Sequence, residues 1–153
     1  MNKRTEFNEA LKAAVKRKDV IATATVRLII AAMKDRDIEA RGRGNADGIG
    51  DAEILSMLQS MVKQRQESHE TYRAAGRNDL ADREAAEIQI IRGFMPQQMS
   101  EDDVAKTVDG LIVELGVKDI KEMGKVMAEL KTRYAGQLDM ARASGVVKQR
   151  LAG

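Results

Sequence analysis

Residues 94–103 read Phe94-Met95-Pro96-Gln97-Gln98-Met99-Ser100-Glu101-Asp102-Asp103, and this stretch decides the fold. Pro96 stops any helix arriving from upstream, because its ring removes an N–H and clashes with the preceding turn. Four residues later Ser100 offers a capping oxygen. Three acids then fill the first turn, where the positive end of the helix dipole favours them. Ser100 with Asp103 is a variant of the capping box. A helix stop, a polar pair and a fresh helix start divide the chain into residues 1–96 and 97–153. The expectation is an all-α protein, with an N-terminal four-helix domain followed by a small three-helix C-terminal domain. Both pieces exceed the roughly 40 residues an independent core needs.

Downstream of Ser100, Val104, Val108, Leu111, Ile112 and Leu115 recur at helical spacing until Gly116. Asp119 is read as the cap of a sixth helix with Ile120, Met123, Met127 and Leu130 inward. Gly136 closes the next turn, and Asp139 caps a seventh helix with Met140, Ala143, Val147 and Leu151 inward. Upstream, a first helix covers about Thr5 to Arg17, and Asp19 caps a second that runs to about Arg41. From Val20 to Met33 that second helix is apolar nearly all round, which predicts a buried central helix. The four glycines between Gly42 and Gly50 predict a mobile loop. Asp51 is read as the cap of a third helix ending at Gly76, and Asn78 or Asp79 opens a fourth. No segment shows the alternation of a strand.

Composition excludes several chemistries. The 153 residues include no cysteine, a single histidine (His69), one proline and four aromatics. Disulfides, zinc–thiolate sites, cysteine nucleophiles and multi-histidine metal sites are therefore out of reach. Four scattered aromatics cannot build a base-stacking sheet. The longest apolar run, Val20 to Met33, is interrupted by Thr23, Thr25 and Arg27 and is too short to span a bilayer. With no apolar leader after Lys3 and Arg4, the expectation is a cytoplasmic protein without membrane contact.

The candidate motifs are thin. Gly42-Arg43-Gly44 and Gly48 lack the strand a dinucleotide fingerprint requires, and Gly124-Lys125 is followed by Val126 rather than Ser or Thr. Glu67, His69, Glu84 and Glu87 do not form the paired Glu-x-x-His motifs of a helical di-metal site, so no metal and no cofactor are expected. Glu84 and Glu87 instead suit a structural ion pair with Arg27 or Arg65. No serine has a nearby base, His69 reads as solvated or capping, and the methionines at helical spacing read as core filler.

Charge is more informative when divided. The chain carries 26 bases and 24 acids. Residues 97–117, however, hold five acids and one base, whereas residues 118–153 hold eight bases and four acids. In that basic pole Lys131, Arg133 and Gly136 meet at one interhelical turn, and Lys125 precedes them by about two turns. Basic side chains around glycines that admit a close approach suit the backbone of a nucleic acid, read by shape.

The chain resembles the YqeY-like proteins of the GatB/YqeY family over essentially its whole length. The resemblance rests on Thr25-Val26-Arg27-Leu28, Ala31-Ala32-Met33-Lys34, Met61-Val62-Lys63-Gln64-Arg65, the run Ala75 to Ala81, Glu84-Ala85-Ala86-Glu87-Ile88, and the junction Phe94 to Ser100. Met123 to Lys131, with Gly136, Asp139, Val147-Lys148 and Leu151, is similar to the tail domain of GatB. GatB is a subunit of the amidotransferase that converts misacylated Glu-tRNA or Asp-tRNA to the amide form, and its tail is a tRNA-binding appendage. Leu138 departs from the Gly-rich turn of that family.

The resemblance implies a tRNA-binding accessory protein, with phosphate contacts from Lys125, Lys131, Arg133, Lys148 and Arg150 and close approach at Gly124 and Gly136. It implies tRNA, amidotransferase subunits or aminoacyl-tRNA synthetase subunits as partners. It associates the chain with carbon–nitrogen ligase activity using glutamine as amido-N-donor, although no nucleotide site or glutaminase nucleophile is present to support independent catalysis. A component of such a ligase, acting with partner subunits, and a protein–protein adaptor are the alternatives.

Overall fold

The computed structural model describes residues 2–152. Among these residues seven α-helices run in the order α1 (Lys3–Arg17), α2 (Val20–Gly42), α3 (Asp51–Ala74), α4 (Asn78–Arg92), α5 (Glu101–Leu115), α6 (Met123–Arg133) and α7 (Met140–Ala152), with a 3-10 turn at Ile120–Glu122 before α6. Among the described residues there is no strand, so the fold is all-α. The chain forms two compact units, Met1–Met95 and Pro96–Gly153.

In the first unit α1 starts two residues earlier than its hydrophobic pattern suggests. The side chain of Asn2 accepts from the amide of Thr5, an N-cap that the apolar period does not reveal. Lys18 ends α1 in the left-handed conformation, at φ 59°, and Asp19 at once caps α2 through the amide of Ala22. The resulting hairpin of helices closes on a core of Phe7, Ile29, Met33, Ile54, Met57, Leu58, Met61, Val62, Ile88 and Ile91. Phe7 and Phe94 meet edge to face at 5.1 Å, the arrangement the ring quadrupoles favour.

Three expectations change in this unit. Helix α2 is buried on one face only: Ala22, Val26, Ile29 and Met33 point inward, but Val20 is 75% exposed and Leu28 47%. An apolar run spread evenly around a helix does not say which side the neighbours cover. The glycine-rich connection is pinned at its end, where Ile49 is buried in the core. Helix α3 is capped at Gly50, with no side-chain bond, so Asp51 is its first residue rather than its cap. At the far end Gly76 takes φ +74° and the amide of Arg77 bonds the carbonyl of Tyr72, reversing the chain into α4.

In the second unit α5 opens on a complete capping box: the amide of Asp103 donates to Ser100 Oγ at 3.1 Å, and the amide of Ser100 donates to Asp103 Oδ2 at 3.4 Å. Gly116 ends it at φ +65°, which turns Val117 into the core. Asp119 caps the 3-10 turn, not a full helix, and α6 begins only at Met123. Ile120, expected inward, is consequently 44% exposed. Val104, Val108, Leu111, Val126, Leu130, Leu138, Ala143 and Val147 form the core, with Met123, Met127 and Met140 half-buried against it. Leu138, the departure from the Gly-rich pattern, is thus a core side chain. The segment before α5 is strapped to the α6–α7 turn, since the amide of Met99 donates to the carbonyl of Gln137 at 2.7 Å and Gln98 Nε2 to that of Gly136 at 2.5 Å.

Candidate nucleic-acid interface

The acidic run and the basic run of the second unit are in large part each other's partners. Arg133 Nη1 meets Glu114 Oε2 on α5 at 2.7 Å, and its Nε meets Glu129 one turn back on α6 at 2.7 Å. Arg150 Nε meets Asp109 Oδ1 at 2.7 Å, and Arg142 Nη1 meets Glu101 Oε1 at 3.2 Å. The Glu114 hydrogen bond raises the Arg133 guanidinium further above its already high range, so it stays charged throughout. These pairs are exposed and individually weak. They nevertheless occupy the arginine forks with carboxylates.

The lysines differ. Lys131 and Lys148 are exposed on α6 and α7 and have no carboxylate partner among the described residues. Lys125 holds only Glu122, one turn earlier, at 3.3 Å. Gly124 lies on the exposed side of α6, and a Cβ added there meets nothing within 4 Å, so this helix presents a low, open surface beside Lys125. Gly136 is placed differently. It is buried, sits at φ +74° to make the α6–α7 turn, and has its carbonyl occupied by Gln98. A glycine in a turn reads the same in sequence whether its open side faces solvent or core.

The expected ion pair in the first unit resolves onto one carboxylate. Arg65 Nε lies 3.3 Å from Glu87 Oε2, with both side chains largely buried, and Arg83 approaches the other Glu87 oxygen at 3.6 Å. Glu84 forms no ion pair among the described residues; burial, and after it the Glu87 carboxylate, pushes its pKa above the usual range. Arg27 is exposed on α2 and takes no part, because its position lies on the side of the helix away from the core. Among the described residues no three His, Asp or Glu side chains come together in a group that would hold a metal ion, and no helix is long and apolar enough to cross a membrane.

The strongest polar site was not anticipated. Asp37, 3% exposed on the inner side of α2, accepts from Arg4 Nη1 and Nη2 at 2.7 and 2.6 Å and from the amide of Ile49 at 2.9 Å. Arg4 Nη2 also donates to the carbonyl of Ile49. This forked bond, and after it the Ile49 amide, hold the Asp37 carboxyl at about 2 against burial. Gly48 closes the site: at φ +81° its backbone passes so near Asp37 that any Cβ would collide with the carboxylate. The available signal was the position of Asp37, four after Met33 and three before Ala40, which puts an acid on an apolar stripe.

Residues 4–151 match the profile of the family described as Yqey-like protein. Among curated proteins, the chain is 29% identical over 107 residues to altered inheritance of mitochondria protein 41, mitochondrial, of Lachancea thermotolerans, covering 69% of this chain and 55% of that protein. It is 29% identical over 126 residues to the Saccharomyces cerevisiae protein of the same name, covering 78% and 65%. It is 32% identical over 85 residues to an uncharacterised Schizosaccharomyces pombe protein, covering 56% and 63%. The chain thus spans between half and two thirds of the length of these relatives. Their names correct the cytoplasmic expectation: two of the three are called mitochondrial, and neither composition nor the absence of an apolar run carries that information. The match along nearly the full chain, on the all-α framework described above, shows that the protein belongs to the YqeY family.

Proposed function

We propose that this YqeY-family protein is a tRNA-binding accessory factor, related to the tail of the tRNA-dependent amidotransferase and acting beside partner subunits rather than through an active site of its own. In this reading the two compact units are domains, a four-helix body over residues 1–96 and a three-helix RNA-contacting module over residues 97–153. The observation that carries it is the sorting of bases in the second unit. Arg133, Arg142 and Arg150 are held by carboxylates, whereas Lys131 and Lys148 face solvent without one and Lys125 lies beside the open surface at Gly124. A lysine is a point charge that tracks phosphates without reading bases, which suits binding by shape.

The test is fluorescence anisotropy of labelled tRNA against the full chain at a series of salt concentrations. Two of the fungal relatives are named as mitochondrial, so organellar tRNA belongs in the test beside bulk tRNA. Replacing Lys131 and Lys148 by Glu is expected to weaken binding and to flatten the salt dependence by about one unit of slope per lysine. Arg133→Ala, which removes a base already neutralised, is expected to change it far less. No tRNA binding at low salt, or equal effects of the lysine and arginine variants, refutes the reading.

A further inference from the structure

In residues 118–153 every acid is already engaged. Glu122 and Glu129 hold Lys125 and Arg133, and Asp119 and Asp139 accept from the amides of Lys121 and Ala141. The three arginines of this segment are held by α5, on which Asp102 is the one acid without a partner among the described residues. What remains is lysine: Lys118, Lys121, Lys131 and Lys148 are exposed and have no carboxylate among the described residues. Free planar groups are missing from this remainder. Tyr134 is the single aromatic of residues 97–153, which hold no histidine, and it is half-buried against the second core.

A single strand of nucleic acid draws much of its affinity from bases stacked on aromatic or guanidinium planes. With Tyr134 packed and each arginine on a carboxylate, the second unit offers no such plane, and its lysines respond to phosphate charge alone. Charge density then decides: a cation releases about 0.9 counterions on a B-form duplex against about 0.7 on a single strand. The relief of the surface points the same way. Gly124, Ala128 and Lys131 on α6 follow one another at spacings of four and three, as do Ala141, Gly145 and Lys148 on α7, and all six are exposed. Such spacing sets each trio on one line along its helix. A Cβ added at Gly124 or Gly145 meets nothing within 4 Å, so no packing inside the chain calls for glycine there. Each helix thus carries a low floor that runs up to a free lysine and admits a stiff backbone unable to bend around tall side chains. Resting on the RNA reading above, we infer that the RNA is double-helical, contacted through its phosphates by Lys125, Lys131 and Lys148 and approached closely over Gly124 and Gly145.

The experiment measures anisotropy of one labelled RNA strand of about 20 nucleotides against the full chain, alone and annealed to its complement, in two unrelated sequences and over a range of salt. Across three lysines the duplex adds about 0.6 to the salt slope, so it is expected to gain about fourfold over the strand for each tenfold drop in salt, with the two sequences alike. Gly124→Gln combined with Gly145→Gln is expected to remove most of that advantage, because the raised side chains hold off the stiff duplex while the strand bends past them. Glutamine is the better helix former, so circular dichroism is expected to show no loss of helix. A duplex that does not bind, a strand that binds as tightly as the duplex, or a duplex advantage unaltered by the glycine variant overturns the inference. The tRNA reading survives each of these results if Lys131→Glu with Lys148→Glu still weakens binding of tRNA. No binding of tRNA or of either RNA at low salt overturns both.

Discussion

Replacing Asp37 by Asn removes one charge from the only bidentate arginine–carboxylate pair with a buried acid among the described residues. The structure sets the size of the effect. The Asp37 carboxyl falls from 3.8 to about 2 on folding, and each pKa unit is worth about 1.4 kcal/mol, so its ionised interactions contribute about 2 kcal/mol at pH 7. Arg4 remains one third exposed and can turn toward water once its partner is gone. The loss therefore stays below the roughly 3–5 kcal/mol seen when a buried ion is left uncompensated. Asp37→Asn is expected to cost about 2 kcal/mol in urea unfolding at pH 7, followed on amides of the first unit.

The pH dependence has a definite sign. A depressed folded pKa stabilises above the unfolded value, and that stability is lost as pH falls through the folded value. The wild-type protein should therefore lose the contribution between about pH 4 and pH 2, and the variant should lose none of it. Exchange of the Ile49 amide, which donates to Asp37, should accelerate in the variant more than exchange of core amides in α3. Equal stability of the two proteins at pH 7, or the same acid-induced loss in both, would refute the account of this site.

Three further outcomes follow from the packing. Gly48→Ala meets both a positive φ and the Asp37 carboxylate, so it should destabilise at least as much as Asp37→Asn, and the two changes together should cost less than their sum in a double-mutant cycle. Leu138→Ala opens a void in the second core and should cost about 2–4 kcal/mol, read as loss of the second unit's cooperative melting. Glu84→Gln removes a carboxylate whose pKa burial raises. A raised pKa stabilises below the unfolded value and loses that contribution as pH climbs, so the variant should be at least as stable as wild type at pH 7 by thermal melting.

Much of the fold follows from local rules. Pro96 bars a helix from resuming in the turn after α4 ends at Arg92, and the Ser100–Asp103 box starts another, because both act within one turn of chain. Gly76 and Gly116 end helices for the same reason, each taking the left-handed conformation that a side chain resists. The helical periods of α5 and α7 name their inner faces correctly, because each helix meets its core along a single stripe, whereas that of the sixth helix misses the fully buried Val126 and puts the exposed Ile120 inward. Local rules fail where two conformations share a pattern. Asp119 starts a 3-10 turn instead of an α-helix, and Asp51 yields the capping position to Gly50.

Sequence alone determined that the chain is helical, what chemistry its missing residue types exclude, and which segments are acidic and which basic. Each of these is a property of residues within a few turns of one another. Tertiary structure alone decided which charges remain available. The opposite charges of α5 and the tail attract across the unit, so Glu114, Asp109 and Glu101 occupy Arg133, Arg150 and Arg142, while Lys131 and Lys148 stay open. It also decided that Arg4 and Gly48 close around Asp37, and that Val20 and Leu28 of α2 face outward. Partners 33 residues apart in sequence, or on opposite sides of one evenly apolar helix, are set by how helices pack, and no local pattern records that.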